Sequence, residues 1–378
     1  MLKFGVFILM LSLVFNIFVV TAFAADDINI SAKSAVVICG ETGEVLYSKS
    51  ANQKLPMAST TKIMTALILA EQPDLSKTIT VTEQMVAVEG SSMGLLKGDT
   101  VSFRDLLYGM LLASGNDAAN ATAYALGGGI KGFAHMMNKR AKEIGMNNTS
   151  FVTPSGLDDE NHYTTAFDLA LLTTVALKNS AFRTACSSKQ AVLYYGNPPY
   201  KRSLTNHNKL LGNYDGIIGV KTGFTKKSGR CLVTAAERDG KSVIAVTLNA
   251  PDDWNDHKKL LDLGLSSTVI VKYSNGDLSD VLPVVGTDAD LIRIKCDLAE
   301  FCVSEKNQTK IKRKVFLPKF VYAPISAGET VGKIEYYLDN KLIKTSKIYS
   351  VADAFIRNKK EKFSVRFLKS IRAIWNYS

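Results

Sequence analysis

Cysteine and histidine are both scarce in this sequence, which has five cysteines and four histidines among 378 residues. The cysteines are too few and too scattered for a disulfide scaffold, and their odd number leaves at least one thiol free or paired between chains. Cys39 and Cys231 lie in apolar, strand-like stretches that favour burial, while a bridge between Cys296 and Cys302 is left open by the sequence. The histidines show no metal-ligand spacing, so neither a metal nor another cofactor is expected. These residues are Cys39, Cys186, Cys231, Cys296, Cys302, His135, His162, His207 and His257.

Acidic residues are outnumbered, and the basic excess is concentrated at one end of the chain. The net charge is +11, and residues 354–378 contain seven lysines and arginines against Glu361 alone. More than half of the net charge therefore lies in this short segment. No nucleic-acid recognition motif accompanies it, and a basic tail also suits an anionic membrane surface. Nucleic-acid binding is not expected.

The first residues predict export. Lys3 precedes an apolar run from Phe4 to Val20, and Ala22-Phe23-Ala24 has the small-x-small form of a signal-peptidase site. We expect residues 1–24 to be a cleaved signal peptide, with a retained membrane anchor as the alternative. Either alternative places the protein outside the cytoplasm.

The order of predicted elements indicates an α+β fold. A hairpin at 34–47 comes first, helical periodicity follows, and strand patterns return from Gly216 to Asn249 before a closing helix at Trp254–Leu263. Strands at both ends with helices between them predict an antiparallel sheet beside a helical cluster, with a cleft between the two. We expect this domain to span 30–265. Its predicted helices are Met57–Glu71, Phe103–Leu112, Ala118–Leu126, Ile130–Ile144 and Thr165–Ala176.

Two further segments follow this domain. Short β-branched runs separated by turn signals predict a small all-β domain at 268–350. Residues 353–378 predict an amphipathic helix that lies in an anionic membrane interface, with packing against the β domain as the alternative. Its apolar side would hold Ile356, Phe363, Phe367, Ile371, Ile374 and Trp375, and its basic side Lys359, Lys362, Arg366, Lys369 and Arg372.

One serine in the chain has a lysine three positions later, in Ser59-Thr60-Thr61-Lys62 at the start of a predicted helix. This spacing puts both side chains on one helix face, one turn apart. An alcohol needs a base within hydrogen-bond reach to become a nucleophile, and a lysine with a lowered pKa supplies one. Taken alone, Ser59 as a helix cap and Lys62 as a solvated lysine would be the favoured interpretation.

Two more short motifs give the first one weight. Ser114-Gly115-Asn116 lies between two predicted helices, and Lys221-Thr222-Gly223 ends a predicted strand. The lysine and threonine of the latter offer an ammonium and a hydroxyl to a carboxylate, and the glycine permits close backbone approach. Ser-x-x-Lys, Ser-x-Asn and Lys-Thr-Gly, in this order on helix, loop and strand, form the signature shared by class A β-lactamases and penicillin-binding proteins.

With these motifs the chain resembles the low-molecular-mass penicillin-binding proteins, the serine-type D-alanyl-D-alanine carboxypeptidases of peptidase family S11. The resemblance also includes Gly90-Ser91-Ser92-Met93, Pro154-Ser155-Gly156-Leu157 and Phe224-Thr225. It implies a penicillin-binding, β-lactamase-like domain, a β-rich second domain and a C-terminal membrane helix. It also implies a location at the outer face of the bacterial cytoplasmic membrane or in the cell wall. It also implies an enzyme that removes the terminal D-alanine from peptidoglycan pentapeptide stems and is acylated by β-lactam antibiotics.

The resemblance implies a role for each motif residue. Ser59 would be the acylated nucleophile, Lys62 its base, and Ser114 the residue that relays a proton to the departing D-alanine. Asn116 would hold the substrate amide, and Lys221, Thr222 and Gly223 would bind the terminal carboxylate side of the substrate. Backbone N–H groups of Ser59 and of a residue between Gly223 and Thr225 would form the oxyanion hole.

Three alternatives remain open at this point. A transpeptidase shares the acylation step and differs in the acceptor. A β-lactamase adds a glutamate that activates water, for which Glu143 is the candidate, although its place at the end of a basic helix favours a surface role. A catalytically silent peptidoglycan-binding protein would not need Ser59, Lys62 and Lys221 together.

Overall fold

The computed structural model describes residues 28–274 and 278–357, together with Lys369 and Arg372. The predicted signal peptide, 1–24, lies outside the described residues, as does most of the predicted C-terminal helix, 353–378. Lys369 and Arg372 are helical and exposed. Residues 353–357 are not helical, because Ala354 pairs with Ile325 in an isolated bridge, so the helix prediction is wrong for its first residues. Among the described residues no helix is long and apolar enough to cross a membrane.

The first part of the chain begins and ends with the strands of the main sheet and has most of its helices between them, as predicted, with four further short strands among the helices. The elements run β1 (Ser34–Cys39), β2 (Val45–Lys49), a 3-10 turn (Ala58–Thr61), α1 (Lys62–Ala70), β3 (Thr78–Thr80), α2 (Glu83–Val86), β4 (Thr100–Ser102), α3 (Phe103–Leu111), α4 (Asn116–Gly127), α5 (Ile130–Ile144), α6 (Ala166–Ala176), α7 (Ser180–Ser187), β5 (Gln190–Gly196), β6 (Pro199–Thr205), β7 (Ile217–Thr225), β8 (Gly229–Arg238), β9 (Lys241–Leu248) and α8 (Asp253–Ser266).

A five-stranded antiparallel sheet with the order β2-β1-β9-β8-β7 organises this part. Strand β1 shows why both faces of the sheet are covered. Val36 and Ile38 pack into the core shared with the helical cluster, whereas Ala35 and Val37 pack into a second core with α8. Side chains alternate between the two faces of a strand. The continuous apolar run in β1 therefore reflects burial on both sides, and the predicted antiparallel sheet with a helical cluster is confirmed.

Helix boundaries follow local capping chemistry. The Ser102 side chain accepts from the N–H of Asp105 at the start of α3, and the Thr165 side chain accepts from the N–H of Asp168 at the start of α6. Gly145 ends α5 in the left-handed conformation, with φ 92°. At the end of α4 the left-handed residue is Gly128, two residues beyond the end of the predicted helix at Leu126.

Several elements were not predicted from the sequence: β3 and β4, the hairpin of β5 and β6, and the helices α2 and α7. Strand β5 alternates in burial, with Leu193 and Tyr195 inward and Val192 and Tyr194 exposed. Strands and helices this short carry too few periods for an apolar pattern to stand out.

The second part of the chain is built from strands, as predicted. Its elements are β10 (Thr268–Tyr273), β11 (Val281–Val285), β12 (Leu291–Cys296), β13 (Ala299–Ser304), a 3-10 helix (Glu305–Lys310), β14 (Lys312–Phe316), β15 (Val321–Tyr322), β16 (Thr330–Leu338) and β17 (Lys341–Ser350). Strands β10 and β13 pair with each other, and the other six form a sheet with the order β14-β16-β17-β12-β11-β15. Tyr273, Phe301 and Tyr336 stack together in the core between them.

The turn between β1 and β2 connects the two parts. Glu41 accepts from the N–H of Cys302 at 2.6 Å, and Glu44 accepts from the N–H of Ser304 at 3.0 Å. The thiol of Cys39 donates to the Cys302 carbonyl at 3.2 Å. No disulfide joins the five cysteines, all of which lie in the described part of the chain, so Cys296 and Cys302 do not bridge. Cys39 and Cys231 are buried as expected.

Candidate active site

Ser59 lies in the 3-10 turn that precedes α1. In this turn Ala58 adopts a left-handed conformation, with φ 46°, although it carries a side chain. Ala58, Thr60 and Thr61 are buried, and Ser59 alone is partly exposed. A backbone turn that buries its other residues therefore presents the Ser59 hydroxyl to the surface. The predicted helix begins with this turn, and its α-helical part starts at Lys62.

Lys62 is fully buried, and three oxygen atoms lie within hydrogen-bond distance of its Nζ. These are Ser59 Oγ at 2.8 Å, Asn116 Oδ1 at 2.7 Å and the Ser155 carbonyl oxygen at 2.7 Å. Burial lowers the pKa of Lys62 well below its usual range, and the charge of Lys221 lowers it further. A buried amine of lowered pKa beside a hydroxyl is the arrangement that general-base activation of a serine requires.

The turn between α3 and α4 carries the second motif. Ser114 is buried there in a left-handed conformation, with φ 57°. Asn116 donates through Nδ2 to the Glu89 carbonyl at 2.6 Å, while its Oδ1 accepts from Lys62. Both ends of the Asn116 amide are thus engaged by the protein, and the side chain orients Lys62. Its role in holding a substrate amide stays a prediction.

Lys221 lies on β7, the strand at one edge of the five-stranded sheet, and is buried. Its Nζ donates to Ser114 Oγ at 3.0 Å and to the Thr222 carbonyl at 2.8 Å. Burial lowers the pKa of Lys221 to about 7. The third motif therefore meets the second through a direct hydrogen bond, with the partly exposed Thr222 beside them.

Gly223 brings β7 against the turn that carries Ser59. A Cβ atom added to Gly223 would lie 3.0 Å from the Ser59 nitrogen and 3.1 Å from the Met57 carbonyl oxygen. Such contacts are tighter than a side chain ordinarily tolerates, so the glycine allows this approach. All seven residues predicted for the site thus come together: Ser59, Lys62, Ser114, Asn116, Lys221, Thr222 and Gly223.

A carboxylate that the sequence analysis did not single out shapes one wall of the site. Asp117 accepts from Ser92 Oγ at 2.6 Å and from the N–H groups of Met93 and Leu95 at 2.9 and 3.0 Å. From the other side, the Tyr195 hydroxyl donates to the Met93 carbonyl at 2.6 Å. The segment that begins with Gly90-Ser91-Ser92-Met93 is therefore fixed between α4 and the β5–β6 hairpin.

The Ser155 carbonyl is a second group that the sequence analysis missed. It accepts from Lys62, and the preceding carbonyl of Pro154 accepts from Thr65 Oγ1 at 2.6 Å, which ties this loop to α1. A backbone carbonyl carries no residue-type signal. The sequence indicated the segment only through the resemblance of Pro154-Ser155-Gly156-Leu157.

Glu143, the candidate water-activating residue of a β-lactamase, is part of a surface ion pair. It lies near the end of α5, half exposed, and Arg140 donates to it at 3.1 Å. Arg140 also pairs with Glu71 at 2.6 Å. The surface interpretation of Glu143 agrees with these contacts.

Comparison with known proteins gives the same assignment over both parts of the chain. The peptidase S11 family model, described as D-alanyl-D-alanine carboxypeptidase, matches residues 20–252, and the model of the penicillin-binding protein 5 C-terminal domain matches residues 261–354. The D-alanyl-D-alanine carboxypeptidase DacF of Bacillus subtilis is 31% identical over 384 residues, covering 97% of both chains.

Two solved structures are similar in fold. Penicillin-binding protein 5 from Haemophilus influenzae has a TM-score of 0.64 at 26% identity, covering 88% of this chain and 99% of that one. The DD-transpeptidase of Streptomyces K15 has a TM-score of 0.61 at 35% identity, covering 64% of this chain and all of that one, 100%. With the S11 model matching more than half of its residues, the chain belongs to the D-alanyl-D-alanine carboxypeptidase family, peptidase family S11.

Proposed function

We propose that this protein is a serine-type D-alanyl-D-alanine carboxypeptidase that removes the terminal D-alanine from peptidoglycan pentapeptide stems through an acyl-enzyme at Ser59. One observation carries the proposal, namely the buried Lys62 amine, 2.8 Å from Ser59 Oγ and held by two further acceptors. A neutral amine has two N–H bonds and one lone pair. With Asn116 Oδ1 and the Ser155 carbonyl taking the two N–H bonds, the lone pair is directed at the Ser59 hydroxyl.

Acylation then follows as a balanced sequence. Ser59 Oγ attacks the carbonyl carbon of the penultimate D-alanine as its proton moves to Lys62 Nζ. The C–N bond to the terminal D-alanine breaks as Ser114, held by a hydrogen bond from Lys221, gives its proton to the leaving amine and takes up the proton that Lys62 received from Ser59. Hydrolysis of the ester by water restores Ser59 and releases the shortened stem. Because burial lowers the pKa of Lys62, its amine can take up the proton of Ser59 and pass it on.

The position of β7 at the edge of the sheet supports an oxyanion-binding site beside this strand. The Thr225 N–H donates to Ser228 Oγ at 3.0 Å, in the turn that leads to β8. Backbone N–H groups alternate in direction along a strand, so the N–H of Phe224 points to the open edge, towards the turn of Ser59. Together with the N–H of Ser59 it would stabilise the tetrahedral oxyanion.

The terminal carboxylate of the substrate would bind Lys221 and the hydroxyl of Thr222. A β-lactam antibiotic carries a carboxylate beside a reactive amide carbonyl, so the same groups would direct its acylation of Ser59. The direct test is mass spectrometry of a pentapeptide ending in D-Ala-D-Ala after incubation with the protein. Loss of one alanine is the expected result, and an unchanged peptide would contradict the proposal.

A transpeptidase is the second candidate, because a similar solved structure at 35% identity is a DD-transpeptidase. Its acyl-enzyme would be attacked by an amine in place of water. Adding a peptide acceptor with a free N-terminal glycine to the same reaction separates the two functions. A carboxypeptidase gives mainly the tetrapeptide, whereas a transpeptidase gives the acceptor-linked product.

The two lysines predict a bell-shaped pH profile of kcat/KM for the pentapeptide. Lys62 acts as a base when neutral, so activity falls as pH decreases through its lowered pKa. Lys221 binds the carboxylate when charged, so activity falls as pH rises through its pKa of about 7. Steady-state kinetics across pH 5 to 10 measures both limbs. A peptide with an amidated C-terminus is the control, since it should lose the alkaline limb and retain the acidic one.

We also propose that the protein is exported and held at the outer face of the cytoplasmic membrane by its C-terminal residues. Ala354 pairs with Ile325 of the β domain, and the Arg357 N–H donates to the Gly286 carbonyl at 2.9 Å. A truncated chain that ends at Arg357 therefore keeps this contact and removes most of the basic, amphipathic segment.

The truncated, signal-free protein should lose binding to anionic vesicles while peptide cleavage stays nearly unchanged. Each basic residue near an anionic leaflet contributes about 1 kcal/mol, so binding of the longer protein should weaken with salt. Co-sedimentation with vesicles of phosphatidylglycerol measures both effects. Equal binding of the two proteins would contradict the membrane proposal.

A further inference from the structure

His162 is buried next to the turn that carries Ser59 and makes a hydrogen bond with each ring nitrogen. The N–H of Val152 donates to Nδ1 at 2.9 Å, and Nε2 lies 2.8 Å from Thr61 Oγ1. Because Nδ1 accepts, the proton of the neutral ring is on Nε2, which donates to Thr61. The Thr61 hydroxyl then donates to the Ala58 carbonyl at 2.8 Å.

Every donor in this series of hydrogen bonds has a fixed direction. Burial lowers the pKa of His162 to about 4, against the opposing charges of Asp159 and Asp158, so the ring is neutral near pH 7. The order of donation therefore runs from Val152 through His162 and Thr61 to Ala58. None of these groups has a second arrangement that satisfies the same partners.

The series of hydrogen bonds ends at Ala58, the residue of the turn with the most unusual backbone conformation. Ala58 has φ 46°, a conformation that a residue with a side chain keeps only where its surroundings hold it. Its carbonyl is fixed by Thr61, and Gly156 packs so closely that an added Cβ would lie 1.9 Å from the Ala58 oxygen. The next residue after Ala58 is Ser59.

The loop that contains His162 also acts on the base. Leu55 and Thr164 pair at one end of the loop, and the Ser155 carbonyl accepts from Lys62 at 2.7 Å. One loop thus sets the conformation of the turn that presents Ser59 and supplies an acceptor that directs the amine of Lys62.

We propose that His162 is a positioning residue for the acylation of Ser59, acting through Thr61 and the Ala58 carbonyl without touching substrate. This inference rests on the proposed function, in which Ser59 is the nucleophile and Lys62 the base. A displacement of about 1 Å between a nucleophile and its partner costs on the order of a hundredfold in rate. Loss of the His162 contact should therefore reduce the rate of acylation far more than the binding of the acylating agent.

The test compares His162 with His257, a second buried histidine, which lies on α8. Its Nδ1 lies 2.7 Å from Thr234 Oγ1, and its Nε2 lies 2.9 Å from Thr247 Oγ1. These contacts are made by a residue of α8, away from Ser59. Stopped-flow labelling with fluorescent penicillin gives the acylation rate constant and the dissociation constant of the noncovalent complex separately. Measurements are made on protein shown to be folded by its thermal transition.

His162→Ala should lower the acylation rate constant by about tenfold to a hundredfold with little change in the dissociation constant. His257→Ala should lower thermal stability and leave both constants near those of the unchanged protein. His162→Gln, which keeps an amide donor for Thr61, should recover part of the rate. Thr61→Val should reproduce the loss, and the double variant with His162→Ala should lose little more, because both act through one path.

A folded His162→Ala protein that is acylated as fast as His257→Ala would overturn the inference. If His162→Ala does not fold, equal rates for Thr61→Val and the unchanged protein would overturn it in the same way. Failure of the proposed function gives a different result, since the unchanged protein would then form no penicillin adduct at Ser59.

Discussion

Ser59→Ala should remove covalent labelling by fluorescent penicillin and lower kcat for pentapeptide cleavage by at least about 10³-fold. The oxygen of Ser59 forms the acyl bond, and in the described part of the chain its hydroxyl is the one that contacts the Lys62 amine. Loss of a serine nucleophile leaves only the residual rate provided by binding and by the oxyanion hole. Gel fluorescence after incubation with penicillin, together with mass spectrometry of the intact protein, measures the adduct directly.

The fold should survive this change. Ser59 is partly exposed, and its side chain does not cap the turn or α1. Its hydroxyl contacts Lys62, whose amine keeps the acceptors at Asn116 and Ser155. We expect the free energy of unfolding to change by about 1 kcal/mol or less. A stable penicilloyl adduct on a folded Ser59→Ala protein would show that another residue is the nucleophile.

The fold was predictable where the apolar pattern was long and the chemistry local. The hairpin of β8 and β9 is an example, because Asp239 and Gly240 take the two left-handed positions of a two-residue turn between apolar runs. The β5–β6 hairpin and α7 escaped prediction, since each is stabilised mainly by contacts with distant segments. Asn206, for example, holds the end of α7 by donating to the Cys186 carbonyl at 3.1 Å.

The site divides in a similar way. Ser59 and Lys62 were predictable because a spacing of three residues on a helix puts their side chains side by side. The other two motifs gained weight from their order along the chain and from the family resemblance. The Ser155 carbonyl and the N–H groups that bind Asp117 are backbone atoms, which carry no signal of residue type. His162 showed no metal-ligand spacing in the sequence, and only the pairing of distant segments shows that it contacts Thr61.

Replacing each of the two lysines by arginine should separate their functions. Lys62→Arg keeps a positive charge and N–H donors, but arginine does not give up its proton in a protein, so the base is lost. General-base catalysis contributes about 10²–10⁴-fold, and acylation by penicillin and by peptide should fall by that range. If the larger guanidinium disturbs folding, Lys62→Met serves in its place. Methionine is closer in volume to the buried lysine and also lacks the base, so the same loss is expected.

Lys221→Arg should lose less activity than Lys62→Arg, and its pH dependence should differ. An arginine on β7 still offers a cation to the carboxylate and N–H donors to Ser114, so part of the activity should remain. Because its charge persists above pH 7, the alkaline limb of kcat/KM that we assign to Lys221 should disappear in this variant, while the acidic limb set by Lys62 stays. Stopped-flow acylation and pH-dependent peptide cleavage measure the two effects. Equal losses in the Lys62 and Lys221 variants, or an unchanged alkaline limb in Lys221→Arg, would contradict this division of roles.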